Sequence, residues 1–143
     1  MTFVLNPPYA AFALGFDSFL AGLAIGPIAL SWRQRAWFVA LFGVCDGGAT
    51  LVGAAVPHLL PEPPIAALYL LGVMLVIQGA RRSRAWLYAM PVLFSLDNLA
   101  AGGSVADAPA LALSSAAMAA AGLALGGLAR WTAIRLAAPV ALT

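Results

Sequence analysis

Long apolar segments, separated by short polar turns, dominate this chain and limit what it can fold into. Five of them have roughly the length, about 20 residues, that a helix needs to cross the hydrocarbon core of a bilayer. We predict these spans at about 9–30, 36–56, 65–80, 85–103 and 110–129. The chain is 64% hydrophobic and only 8% charged, which excludes an ordinary soluble domain. We therefore expect an all-α, polytopic membrane protein.

The charges in the loops predict how the spans are oriented. Arginines follow the first, third and fifth predicted spans, whereas the intervening loops carry Glu62 and Asp107 and no arginine. Because arginine-rich loops stay in the cytoplasm, we expect the N-terminus outside and the C-terminus inside. The tryptophans lie beside the arginines, as expected for side chains at the membrane–water interface, and the scattered arginines form no nucleic-acid patch. The residues are Arg33, Arg35, Arg81, Arg82, Arg84, Arg130 and Arg135, with Trp32, Trp37, Trp86 and Trp131.

A short motif occurs twice inside these apolar spans. The first copy, FDSFLAG, starts at Phe16, and the second, LDNLAAG, starts at Leu96, so that their aspartates are Asp17 and Asp97. A carboxylate at the middle of a span costs about 2.5–3.5 kcal/mol on insertion scales, so its recurrence in the same context predicts a functional site. The first and fourth spans would cross in opposite directions. This arrangement is typical of inverted-repeat transporters, whose site lies near the membrane midplane.

The repeat also predicts the domain organisation and an assembly. We interpret 1–143 as a single membrane domain, with one repeat at 8–80 and an incomplete second repeat at 85–143. The second repeat holds two spans and a charged tail that begins at Arg130. Without a third span there, a face of small residues on the fifth span would meet lipid, and such faces favour close helix contact. We therefore expect a homodimer that uses this face, which consists of Ala119, Gly122, Gly126 and Gly127.

The polar residues within the spans supply oxygen ligands. Carboxylate, amide and hydroxyl oxygens suit a hard divalent cation such as Mn²⁺ or Mg²⁺. Each of these residues also has a plainer explanation, because an intramembrane Asp, Ser or Asn can simply hold helices together by hydrogen bonds. Asp46 in particular has Gly43 and Gly47 at the spacing of a packing face. The predicted metal site consists of Asp17, Asp97, Asp46, Asn98 and Ser18, with Ser95 and Thr50 as further oxygen donors.

The segments from Ala13 to Gly22 and from Phe94 to Gly102 resemble the paired Asp motifs of the MntP family of manganese efflux pumps. This family belongs to the lysine-exporter-type superfamily of small inverted-repeat transporters. Members typically carry an acidic residue in the second helix, which Asp46 matches. The resemblance implies a multi-pass protein of the bacterial cytoplasmic (inner) membrane that exports Mn²⁺ as its substrate, without a cofactor or enzymatic activity. Family members have six helices, whereas five spans are predicted here.

Other function classes remain open at this point. An intramembrane aspartyl hydrolase would use two carboxylates as acid and base. Such enzymes usually carry a glycine directly before one aspartate, whereas Phe16, Cys45 and Leu96 precede these. A non-transporting subunit that binds a partner chain, or an exporter of an amino acid or another organic cation, is also compatible with the sequence. The leading prediction is alternating access around a divalent cation.

Overall fold

A computed structural model describes residues 15–56, 74, 78, 86–101 and 104–137, and for 86, 97, 100 and 101 it describes the backbone alone. The regular structure within these residues is all helical, as the sequence predicts. The third predicted span lies outside them, apart from positions 74 and 78, so the count of five spans stays a prediction. The helices are α1 (Phe16–Ile25), α2 (Trp32–Ala55), α3 (Trp86–Phe94), α4 (Leu96–Ala101) and α5 (Ala108–Ala137).

Two of the helices, α2 and α5, are long and apolar enough to cross a membrane. They contain 24 and 30 residues. At a rise of 1.5 Å per residue they measure about 36 and 45 Å, more than the ~30 Å of a hydrocarbon core. Helix α1 is apolar as well but has only 10 described residues. These lengths agree with a membrane protein.

The ends of the two long helices differ from the predicted span limits. Helix α2 begins at Trp32 because Ser31 and Gln34 form a capping box: each side chain accepts a hydrogen bond from the backbone N–H of the other. Helix α5 does not stop at residue 129 but continues to Ala137. Near its end the Arg135 guanidinium lies 4.0 Å from the centre of the Trp131 ring, a cation–π contact. The start of the predicted tail is therefore the last part of α5.

Helix α1 packs along α5, and the two run parallel. A Cβ atom added at Gly26 would lie 2.7 Å from the Leu123 carbonyl oxygen, and Gly22 lies against the backbone of Ala119 in the same register. On α5, Gly122 lies equally close to the backbone of α1. The small-residue face of α5 is thus covered by α1 of the same chain, and Ala119 is fully buried. The expectation that this face meets lipid is wrong, whereas the predicted homodimer itself stays a prediction.

Helix α2 packs on α5 in the opposite direction. A Cβ atom at Gly43 would lie 2.8 Å from the Ala112 carbonyl oxygen, and one at Gly47 would lie 2.9 Å from the Ala112 Cβ. Gly43 and Gly47 therefore form the packing face that their spacing predicts. At the start of α2 the Arg35 guanidinium lies beside Gly127. The arginines that begin α2 and those that end α5 thus lie at the same end of the bundle.

Helices α3 and α4 pack on α2 and together occupy the predicted fourth span. The core between them includes Phe42, whose ring centroid lies 4.9 Å from that of Phe38 and 6.3 Å from that of Phe94. Pro91 lies inside α3 and has no N–H to donate to the preceding turn. One turn later, at Ser95, the helix is interrupted, and α4 begins at the next residue.

Candidate functional site

Asp46 lies at the centre of a buried polar cluster. It sits in the middle of α2, and its side chain is fully buried. The Ser18 hydroxyl of α1 donates to Asp46 Oδ2 at 3.3 Å. The Ser95 hydroxyl, at the interruption between α3 and α4, donates to Asp46 Oδ1. One carboxylate on α2 therefore connects to helices on two of its sides.

Ser18 places a second carboxylate next to this cluster. Asp17, in the first turn of α1, accepts a hydrogen bond from the backbone N–H of Ser18 at 2.6 Å, and its Oδ1 lies 3.3 Å from the Ser18 Oγ. A hydroxyl has one hydrogen to donate. The Ser18 hydroxyl thus lies between two carboxylate groups and can satisfy one of them at a time. Asp17 also has a plainer role, because a negative charge in the first turn stabilises a helix N-terminus.

Ser95 shows the same competition between two acceptors. Its Oγ lies 2.6 Å from the carbonyl oxygen of Pro91, one turn earlier, as well as within hydrogen-bond distance of Asp46. A serine that bonds back to the preceding turn often bends a helix. The polar cluster therefore lies at a point where the helix is irregular. The backbone keeps its helical hydrogen bonds on both sides of Ser95, from Ser95 N–H to the Pro91 carbonyl and from Leu99 N–H to the Ser95 carbonyl, each at 3.1 Å.

The remaining predicted site residues lie in different positions. Asn98 is buried on α4, one turn beyond Ser95. Thr50 donates its hydroxyl to the backbone carbonyl of Asp46 at 2.8 Å, so it supports α2 rather than the carboxylate. Asp97 lies on α4, but its side chain is outside the described part of the structure. The predicted pairing of Asp97 with Asp17 therefore stays a prediction.

The cluster is rich in oxygen but differs from the predicted set of three carboxylates. Among the described side chains, no group of three or more His, Cys, Asp or Glu residues could hold a metal ion. What the structure brings together is two carboxylates, from Asp17 and Asp46, with the hydroxyls of Ser18 and Ser95. Oxygen donors of this kind suit a hard cation, not a soft one.

A groove borders one side of the cluster. It measures about 280 Å³ and lies between α2 and the α3–α4 segment. Ser95 and Cys45 contribute to its lining, together with small or apolar residues such as Val92 and Leu99. Ser95 donates to Asp46 on the other side. A small solute in the groove would therefore be one hydroxyl away from the buried carboxylate.

One polar residue of the bundle interior was not identified from the sequence. Ser115 on α5 is only 1% exposed, and its Oγ has no hydrogen-bond partner among the described residues. A serine in an apolar helix is usually a packing residue, so the sequence gave no reason to select Ser115. The available signal was that Ser114 and Ser115 are the only hydroxyl-bearing residues of α5 before Thr132.

The fold and the site define a class: an all-α protein whose long apolar helices could cross a membrane and enclose a carboxylate bound by hydroxyls. Comparisons of the chain with family models, with curated proteins and with solved structures give no match. The resemblance to the MntP family therefore depends on the two Asp motifs and on the position of Asp46.

Proposed function

We propose that this chain is a secondary membrane transporter that exports a divalent metal cation, which the motif resemblance suggests is Mn²⁺. The observation that carries the proposal is the environment of Asp46, which is fully buried and whose hydrogen bonds come from two neutral hydroxyls. Hydroxyls solvate a negative charge but do not neutralise it. A buried carboxylate is costly unless a positive charge accompanies it. A bound cation would supply that charge.

The proposed ligands follow from the geometry of the cluster and from the repeat. Asp46 is the central ligand, and Asp17 contributes from the other side of the Ser18 hydroxyl. Asp97 is assigned as the third carboxylate from the sequence repeat. Ser18 and Asn98, which occupy equivalent positions in the two motifs and are both buried, contribute neutral oxygens. All of these donors are oxygen atoms, which Mn²⁺ accepts readily.

In alternating access, the loosely connected part of the bundle would move against the tightly packed part. Helices α1 and α5 approach each other backbone to backbone at Gly22, Gly26 and Gly122 and form a closely packed pair. The α3–α4 segment instead contributes to the site through side chains: the Ser95 hydroxyl, which donates to Asp46, the buried Asn98 and, from the sequence repeat, Asp97. We infer that α3–α4 moves against the rest and opens the route to Asp46. Rocking of one part of a bundle around a fixed site is the usual mechanism of such transporters.

The tight enclosure of the site favours a small ion over an organic cation. Ser18 and Asp46 are both fully buried, and the adjacent groove is separated from the carboxylate by Ser95. A dehydrated metal ion needs only the space between oxygen atoms, whereas an amino acid must also accommodate its own side chain. A non-transporting subunit is the second candidate, because Ser18 and Ser95 bonded to Asp46 would also join three helices.

Flux measurements in liposomes test the proposal. Purified protein is reconstituted with a Mn²⁺-sensitive dye inside the vesicles, and wild type is compared with Asp46→Asn. Asparagine keeps the size and an acceptor oxygen but loses the charge, so we expect folded protein without Mn²⁺ flux. The matched control is Asp107→Asn, because Asp107 is exposed and bonds to Ser104 in the turn before α5. This control should transport like wild type.

Two results would contradict the proposal. Wild-type flux in Asp46→Asn would show that its charge does not bind the ion. Absence of flux in wild type, together with a lower unfolding temperature of Asp46→Asn, would instead support the structural role. Competition by lysine or arginine in the same vesicles would indicate an organic cation as the substrate.

A further inference from the structure

The Ser115 hydroxyl is a buried polar group that the helix packing does not account for. It lies about two turns after the start of α5, is 1% exposed, and has no hydrogen-bond partner among the residues that the structure describes. Serine in a helix can bond back to the carbonyl one turn earlier, as Ser95 does to Pro91, but Ser115 does not. Buried polar groups are nearly always paired, and exceptions commonly mark a water or an ion.

The register between α1 and α5 places Ser115 beside the polar cluster. Gly22 lies against the Ala119 carbonyl, and Gly26 lies against the Leu123 carbonyl, which is the same offset along the chain. Because the helices are parallel, one turn back on each of them pairs Ser18 with Ser115. Ser18 is fully buried, and its hydroxyl lies 3.3 Å from Asp46 Oδ2. Ser115 therefore lies level with Ser18, on the α5 face that packs against α1.

We propose that the Ser115 hydroxyl is an additional oxygen ligand of the transported divalent cation, so that α5 forms one wall of the transport site. This inference rests on the proposed function. The chemistry is consistent, because a serine oxygen is a neutral hard donor like those of Ser18 and Ser95. A cation next to Asp46 would give the Ser115 oxygen the partner that it lacks. Ser115 would then supply an oxygen from α5, in addition to those from α1, α2 and the α3–α4 segment.

Binding of Mn²⁺ to the purified full-length protein tests this assignment by calorimetry. Ser115→Ala removes one ligand oxygen, and we expect the Kd for Mn²⁺ to rise about five- to tenfold, as for loss of one hydrogen-bond-scale interaction. Ser114→Ala is the matched control, because it removes the neighbouring hydroxyl from a less buried position of α5. It should leave the Kd unchanged. The unfolding temperature of Ser115→Ala without Mn²⁺ should stay equal or rise, since an unpartnered hydroxyl is removed.

Thiol accessibility provides a readout that does not depend on the affinity measurement. Because alternating access would open the site to water, Ser115→Cys in a Cys45→Ser background should react with a small water-soluble methanethiosulfonate reagent despite its burial, and Mn²⁺ should slow the reaction. Ser114→Cys should show no Mn²⁺ effect. The Ser115→Cys variant also keeps the inference testable if Ser115→Ala does not fold.

The outcomes separate the two proposals. If Asp46→Asn abolishes Mn²⁺ binding while Ser115→Ala binds like wild type, the ligand role of Ser115 is overturned and the transport proposal stands. If Ser115→Cys does not react, or reacts equally with and without Mn²⁺, the ligand role is also overturned. If wild type binds no Mn²⁺, the proposed function fails first, and the role of Ser115 fails with it.

Discussion

Substitution of Gly26 by alanine tests the packing of α1 on α5, on which the position of Ser18 depends. Gly26 is the C-cap residue directly after α1, with φ −48° and ψ −37°, which alanine adopts without strain. The only obstacle to alanine at this position is therefore a steric clash. A Cβ atom would lie 2.7 Å from Gly126 Cα, 2.7 Å from the Leu123 carbonyl oxygen and 2.8 Å from the Gly127 nitrogen. All three are backbone atoms of α5, so no side chain can rotate away.

The size of the effect follows from these distances. Ordinary van der Waals contact begins at 3.4 Å, so α1 would have to move away from α5 by about 0.7 Å. Overpacking of this kind typically costs about 1–3 kcal/mol. Gly48→Ala is the matched control, because Gly48 lies inside α2 and a Cβ there meets nothing within 4 Å. The higher helix propensity of alanine predicts that Gly48→Ala gains up to about 1 kcal/mol of stability.

Thermal unfolding in mild detergent, followed by circular dichroism, measures both variants against wild type. We expect Gly26→Ala to unfold at a lower temperature and Gly48→Ala at an equal or higher one. Mn²⁺ flux of Gly26→Ala should fall as well, because displacement of α1 carries Ser18 away from Asp46. Equal unfolding temperatures for the two variants would refute the close contact between α1 and α5, and with it the register that pairs Ser18 with Ser115.

Two further predictions concern the helix that carries Asp46. Ser31→Ala removes the capping box of α2 and should cost about 1 kcal/mol of stability in thermal unfolding, whereas Ser31→Thr, which keeps the capping hydroxyl, should restore it. A lack of difference between the two would contradict the cap. Phe42→Ala opens a cavity between Phe38 and Phe94 and should cost about 3 kcal/mol, while Trp37→Ala, at a site 64% exposed, should change little. Similar losses from both would argue against the aromatic core.

The sequence predicted the helices and the small-residue contacts well but could not predict which helices meet. Gly43 and Gly47 were assigned to a packing face, and the structure places them against α5. The glycines of α5 were assigned to a lipid-exposed face, and α1 covers them instead. Spacing shows that a face is suitable for close approach, because it depends only on local geometry. The identity of the partner depends on the arrangement of the whole bundle, which spacing does not contain.

The interruption at Ser95 and the end of α5 show two other limits. The apolar run 85–103 looks like one span because hydropathy does not respond to Pro91, and membrane helices tolerate proline. The predicted end of the fifth span at residue 129 relied on the charge of Arg130. Charge marks where a helix leaves the hydrocarbon region and not where it stops, since arginine is a good helix former. Helix α5 accordingly continues through Arg130 and Arg135.

Asp46 is central because α2 lies in the middle of the described bundle, and not because it belongs to a repeated motif. The repeated motifs drew attention to Asp17 and Asp97, because a pattern that occurs twice is improbable by chance. Burial, however, depends on how many neighbours a helix has: α2 packs against α3, α4 and α5, and α1 reaches Asp46 through the Ser18 hydroxyl. A residue in the middle of α2 is enclosed by all of them, whereas Asp17 lies in the first described turn of α1. The first motif thus contributes through Ser18, whose hydroxyl lies between the two carboxyl groups, and the non-repeated aspartate provides the fully buried one.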